Sequence, residues 1–122
     1  MTVADREIDY GSAAVGTLVG LAGLLFLAEP VVGPLALGGL RVRPVALSTV
    51  VLALGFGLGG VVYLRRGQRL IGTAHAVGAV GWGLLALAPA FGSETALVLG
   101  LAVVVGGAVA LVVQVSRDRD RE

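Results

Sequence analysis

Four segments of this chain contain no Asp, Glu, Lys or Arg and are long enough to cross a lipid bilayer. They cover residues 12–28, 45–64, 70–88 and 95–115. A hydrocarbon core about 30 Å thick is crossed by roughly 20 apolar residues in a helix, and these segments are apolar around their whole circumference. In lipid the backbone must satisfy its own hydrogen bonds, which favours helices. The sequence therefore predicts an all-α, integral membrane four-helix bundle that forms a single membrane domain over residues 1–122.

The composition supports the same fold class and excludes several others. The 122 residues are 57% hydrophobic and 14% charged, whereas soluble domains are about 45–50% apolar and about 25% charged. The net charge of +1 excludes a nucleic-acid binder that relies on a basic patch. The absence of cysteine excludes disulfides and thiolate sites. All nine basic residues are arginine, which indicates a GC-rich prokaryotic genome.

The distribution of arginine predicts the orientation of the helices. Cytoplasmic loops of membrane proteins carry an excess of basic residues. With an internal N-terminus, the cytoplasmic side would hold Arg6, Arg65, Arg66, Arg69, Arg117, Arg119 and Arg121, and the outer side only Arg41 and Arg43. We expect a multi-pass protein of the cell membrane with both termini, the polar tails 1–10 and 116–122, in the cytoplasm. The acidic N-terminal tail lacks the basic start of a signal peptide, so we expect the first span to be retained.

The connections between the spans carry clear breaks. Prolines and glycines interrupt the first connection, whose apolar middle is expected to lie at the membrane interface. There Glu29 is expected to pair with Arg41 or Arg43. Ser93 is a predicted N-cap for the fourth helix, because a serine hydroxyl accepts from free backbone N–H groups. The end of the chain, where charges alternate in sign, is expected to be frayed.

Two parts of the sequence resemble each other. Residues 23–33 read GLLFLAEPVVG and residues 83–92 read GLLALAPAFG, so that deletion of Glu29 aligns them. A tandem duplication of one helical hairpin would explain the match. Chance similarity between segments built from few residue types would explain it as well, and the sequence leaves both open.

Small residues recur four positions apart within the predicted helices. Such spacing lets helix backbones approach closely in lipid. The predicted helix-packing residues are Gly16, Gly20, Gly55, Gly59, Gly78, Ala102, Gly106 and Ala110. The alternative is glycine enrichment through codon usage alone. The pattern does not separate contacts within the chain from contacts between chains.

The spans hold little that could perform chemistry. No Asp, Glu or Arg lies in the middle of a span, and an embedded ionisable group is the usual mark of a transport or proton pathway. We therefore predict no catalytic residue, no metal site, no cofactor and no enzyme activity. A pore lined by Thr17, Ser48, Thr49 and Thr73 is conceivable, but these residues differ in depth.

His75 is the only histidine and the only candidate for cofactor binding. It precedes Trp82 by seven residues, which places both on one face of the third helix. A functional interpretation makes His75 a proton relay, a pH sensor or a haem ligand. The structural alternative is a histidine that bonds a backbone carbonyl or water.

The length and number of spans resemble those of the small multidrug exporters and the fluoride channels. The exporters carry an embedded glutamate in the first helix, whereas the first helix here has only Glu29, at its end. The fluoride channels carry an embedded asparagine, and this chain has none. The sequence therefore assigns the chain to neither family.

These observations favour a small, non-enzymatic accessory or interaction subunit of the membrane. One alternative is a channel or transporter for a neutral or weakly polar solute. Another is a haem- or quinone-associated electron-transfer subunit, which would depend on His75 and Trp82. The expected partner is the lipid bilayer, with a second copy of the chain or another membrane protein left open, and no nucleic acid.

Overall fold

A computed structural model describes residues 8–122 and shows four long helices with a short β-hairpin in the first connection. The helices are α1 (Tyr10–Val32), α2 (Pro44–Arg65), α3 (Arg69–Phe91) and α4 (Glu94–Asp120), and the strands are β1 (Leu35–Leu37) and β2 (Leu40–Val42). All four helices are long and apolar enough to span a membrane. The all-α four-helix fold is confirmed, and the chain is a multi-pass membrane protein. Residues 1–7, which include Arg6 and most of the N-terminal polar tail, lie outside the described residues.

Local side-chain chemistry explains where the helices begin. The Asp9 carboxylate accepts the Ser12 backbone N–H at 3.1 Å and caps α1. The predicted cap of α4 is confirmed, because the Ser93 hydroxyl accepts the Ala96 backbone N–H at 3.1 Å. Helix α2 begins with Pro44, which has no N–H to leave unpaired at the first turn.

The β-hairpin between α1 and α2 was not predicted. Its strands pair antiparallel with Leu37 opposite Leu40, and Gly38 and Gly39 form the turn with φ angles of 55° and 84°. Positive φ at both central residues defines a type I′ turn, which glycine adopts without strain. The Gly-Gly pair between the short segments LAL and LRV was a usable signal for it.

The helices pack in the order of the chain. The extensive contacts are α1 on α2, α2 on α3 and α3 on α4, whereas α1 and α4 make no comparable contact along their lengths. Between α1 and α2 the buried Ser48 hydroxyl donates to the Ala22 carbonyl at 2.8 Å. Interhelical bonds of this kind contribute about 0.6 kcal/mol on average in membranes. The four helices therefore form an open arrangement whose outer members are α1 and α4.

Helices α3 and α4 approach each other closely at two buried glycines, Gly81 and Gly100. A β-carbon on Gly100 would lie 3.0 Å from both the Gly81 carbonyl oxygen and the Leu85 backbone nitrogen. Backbone atoms have little room to shift in a packed interface. A side chain at position 100 would therefore require the backbone of α3 to shift at this crossing.

The C-terminal end of α4 differs from expectation. Residues 116–120 continue the helix to Asp120 instead of fraying. Arg117 and Arg119 lie in the last turn, where positive charge interacts favourably with the helix dipole. The frayed end was expected for residues 117–122, and this expectation was wrong for residues 117–120.

The two similar sequence segments form similar helix ends. Pro30 and Pro89 each lie three residues before the positive-φ glycine that caps the helix, Gly33 and Gly92. Gly92 is left-handed, whereas Gly33 turns with a ψ of −164° into the β-hairpin. The tandem duplication itself stays a prediction.

Gly100→Ala should destabilise the protein by about 1–3 kcal/mol, the range typical of overpacking, because the added methyl group forces α3 and α4 apart. Gly106→Ala is the matched control on the same helix, since no atom lies within 4 Å of its added β-carbon. Unfolding in detergent, followed by circular dichroism, measures both. Equal stability of the two variants would contradict the importance of this crossing.

Candidate functional site

A cavity lies in a groove between α3 and α4, which we name the α3–α4 groove. It has a volume of about 710 Å³, within the range of roughly 300–1,000 Å³ that small-molecule sites occupy. It is lined by Phe56 of α2, by Arg69, Leu70, Thr73, Ala74, His75, Val77, Gly78 and Trp82 of α3, and by Val104, Gly107, Ala108, Ala110, Leu111 and Gln114 of α4. Its glycines and alanines leave space that larger side chains would fill.

His75 and Trp82 both line this groove, as their spacing predicted. The His75 Nδ1 atom lies 2.8 Å from the Ile71 carbonyl oxygen, a contact that places the proton on Nδ1. The imidazole ring also contacts Phe56 and Tyr63, with ring centroids 5.5 and 4.9 Å away. This arrangement matches the carbonyl-bonded alternative, and the roles of proton relay or haem ligand stay hypotheses.

Gly59 of α2 provides the space that His75 occupies. A β-carbon at Gly59 would collide with the His75 ring at Cδ2, and would lie 2.9 Å from Nε2. The edge of the ring that carries Nε2 therefore packs against the α2 backbone. His75 acts as a wedge between α2 and α3, besides forming part of the groove wall.

The four hydroxyl residues of the conceivable pore do not line one passage. Thr17 donates to the Ala13 carbonyl and Thr49 to the Ala46 carbonyl within their own helices, and Ser48 lies buried between α1 and α2. Only Thr73 lines the α3–α4 groove. The solute-channel alternative therefore gains no support from their positions.

The small residues predicted for helix packing fall into two groups. Gly55, Gly59 and Gly78 lie at contacts within the chain, against Leu18, His75 and Phe56 respectively. The second group has no such role: Gly16, Gly20 and Gly106 have no atom within 4 Å of an added β-carbon, and Ala102 is exposed. Ala110 is also exposed but lines the α3–α4 groove.

A hydrogen-bonded cluster joins α1 to α2 at the end of the protein where Arg65, Arg66 and Arg69 lie, which we name the arginine end. Arg66 forms a two-pronged ion pair with Asp9, with both N–O distances at 2.5 Å. The Ser12 hydroxyl donates to Asp9 at 2.7 Å, and Tyr63 donates to Ser12 at 3.3 Å. The hydrogen bonds from Arg66 and Ser12 hold the pKa of Asp9 well below its ordinary value of 3.8, and the pKa of Arg66 is raised by Asp9.

A second ion pair, between Glu29 and Arg43, lies at the opposite end of the helices. It confirms the prediction that Glu29 pairs with an arginine of the first connection. Arg43 donates to the Glu29 carboxylate at 2.6 Å. The other carboxylate oxygen accepts the Val45 backbone N–H at 2.9 Å. Because Val45 lies in the first turn of α2, Glu29 of α1 caps the following helix.

The sequence reasoning missed the structural roles of Asp9 and of Glu29 as a cap. An aspartate directly before an apolar segment is a typical N-cap, so Asp9 could have been found. The Glu29 cap joins residues sixteen positions apart and has no local signal. Neither carboxylate lies in the α3–α4 groove.

Asp9→Asn should lower the melting temperature at pH 7, because asparagine still caps α1 but loses the ion pair with Arg66. A lowered pKa stabilises the folded state above the ordinary pKa, and this contribution is lost as the pH falls toward the lowered value. The difference from the unmodified protein should therefore stay constant from pH 8 to about 5 and shrink below about pH 4. Thermal unfolding in detergent across this range measures it, with Asp118→Asn, which has no ion pair within residues 8–122, as the control. A difference that grows on acidification would contradict the assignment.

Comparison with known proteins adds no family to this description. No protein-family description, curated protein or solved structure matches the chain.

Proposed function

We propose that the protein is a non-enzymatic accessory or interaction subunit that associates with other membrane helices through the outward faces of α4 and α1. The observation that carries the proposal is the outward position of Ala102 and Gly106 on α4. They are four residues apart, and no part of the chain packs against Gly106. Small residues at this spacing permit close helix contact in lipid.

Helix α1 presents a similar face. Gly16 and Gly20 are exposed and have no neighbouring atom within 4 Å of an added β-carbon. A glycine within a helix costs roughly 1 kcal/mol relative to alanine in water. Internal packing explains Gly55, Gly59 and Gly100, but it does not explain Gly16, Gly20 or Gly106. A helix from outside the chain would explain them.

The positions of the charged groups support a structural role over catalysis. Asp9 and Glu29 are both engaged in ion pairs that tie α1 to α2 or its connection. Both carboxylates also accept backbone N–H groups at helix starts. These contacts occupy both oxygens of each carboxylate and give both side chains a role in holding the fold together.

We further propose that the arginine end faces the cytoplasm, with both termini on that side of the cell membrane. Arg65, Arg66 and Arg69 lie in or beside the short connection between α2 and α3, where positive charge has the greatest influence on orientation. The opposite connection has Arg41 and Arg43, of which Arg43 is paired with Glu29. The lipid bilayer and a second membrane helix are the expected partners.

Single cysteines test the association, because the chain has none of its own. Gly106→Cys should form disulfide-linked products in native membranes after mild oxidation, if a second copy or another cysteine-bearing protein packs against this face. Leu54→Cys is the control, since Leu54 is 61% exposed on α2 at a similar depth. Mass spectrometry of the products identifies the partner.

A replacement by a large side chain provides the complementary measurement. Gly106→Leu and Gly16→Leu should each reduce the mass of the complex purified in mild detergent while leaving the thermal stability of the monomer unchanged. Two results together would refute the proposal. The unsubstituted protein would be monomeric, and a cysteine at position 16 or 106 would form no linked product.

A further inference from the structure

The α3–α4 groove combines an apolar wall with polar groups at one end. On α3 the residues that line the groove run from Arg69, at the arginine end, to Trp82. These two residues are thirteen positions apart, or about 20 Å along the helix. Most of the intervening wall is glycine, alanine, valine and leucine. A groove of this length and lining accommodates a hydrocarbon chain that runs parallel to the helices.

A second cavity continues the groove beyond the end of its apolar wall. It has a volume of about 450 Å³ and shares Ala110 and Gln114 with the first cavity. Its other polar wall residues are Arg117, Asp118 and Arg121. The continuous opening is therefore surrounded by three arginines and one aspartate, which are Arg69, Arg117, Arg121 and Asp118. Their formal charges sum to +2.

Four polar side chains of the groove and its opening form no ion pair or side-chain hydrogen bond with residues 8–122. They are Arg69, Thr73, Gln114 and Arg117. The ion pairs among residues 8–122 are Arg43 with Glu29 and Arg66 with Asp9, so Arg69 and Arg117 have no carboxylate partner there. Thr73 and Gln114 form no side-chain hydrogen bond with residues 8–122, in contrast to Thr17, Thr49 and Ser116, which donate to carbonyls of their own helices. At membrane depth, a polar group without a partner is costly.

We propose that this groove is a binding site for an anionic phospholipid, with one hydrocarbon chain between α3 and α4 and the phosphate near Arg69 and Arg117. Basic pockets between transmembrane helices recognise anionic head groups, and arginine matches phosphate geometry through paired hydrogen bonds. Thr73 and Gln114 supply hydrogen bonds to the oxygens of the lipid backbone. The charge of the opening selects an anionic lipid over a zwitterionic one.

Native mass spectrometry of the detergent-purified protein tests the site with two lipids of identical chains, phosphatidylglycerol and phosphatidylcholine. The unmodified protein should retain phosphatidylglycerol preferentially. Arg69→Gln and Arg117→Gln should each reduce this retention on the order of five-fold, and the double variant about 25-fold, because a basic residue near an anionic head group contributes about 1 kcal/mol. Arg119→Gln is the matched control, since Arg119 lies on the same helix and lines neither cavity.

A second pair of variants tests the hydrocarbon part of the groove. Ala110→Leu fills space shared by both cavities and should abolish the preferential retention. Val112→Leu, at an outward residue that lines neither cavity, should leave it unchanged. The melting temperature of each lipid-free variant reports whether it folds, and the comparison of the two lipids on the unmodified protein requires no variant.

Three outcomes would overturn the proposal. Equal retention of the two lipids would remove the charge selection. An equal loss in Arg119→Gln would show attraction to the whole arginine end instead of binding in the groove. Displacement of phosphatidylglycerol by an equimolar amount of oleate would assign the groove to a free amphiphilic acid.

Discussion

Close approach between helix backbones is the constraint on which the rest of this structure depends. In lipid, apolar side chains gain little by leaving the solvent, so helices associate through van der Waals contact and a few polar bonds. Gly100 lets the backbones of α3 and α4 meet, and Gly59 gives the His75 ring its place beside α2. These glycines position α3 between its two neighbours, and thereby define the α3–α4 groove on one side of it.

The polar interactions complete what the glycines begin. Ser48, in the second turn of α2, bonds α2 to α1, while Asp9 with Arg66 and Glu29 with Arg43 join the two ends. Each carboxylate also caps a helix start, so one side chain satisfies both a charge and a free backbone donor. Helix α4 has no such ion pair within residues 8–122, and it is the helix whose surface is the least covered by the chain itself.

Much of the fold was readable from the sequence because the energetic cost of unpaired backbone in lipid leaves few alternatives. The four spans were predicted on that basis. The Ser93 cap was predicted from the chemistry of helix starts, and the pairing of Glu29 from the opposite charges in the first connection. The open order of the helices was not predicted, because helices that are apolar around their circumference show no periodicity that identifies a buried face. Gly81 and Gly100 were not among the predicted packing residues. Gly81 has a valine and a leucine four positions before and after it, so the spacing gave no signal there, whereas Gly100 follows Ala96 by four positions and could have been found. The groove required the same three-dimensional information: Arg69 and Gln114 are 45 positions apart in the chain and meet only when α3 packs on α4.

The sequential packing has a consequence for how the protein is made. Every extensive helix contact joins neighbours in the chain, so the contact order is low, a property associated with rapid folding. During synthesis, each of the helices α2, α3 and α4 can therefore pack against the helix that was made immediately before it. No extensive contact requires a helix that is synthesised much later, so the tertiary structure can form in the direction of translation.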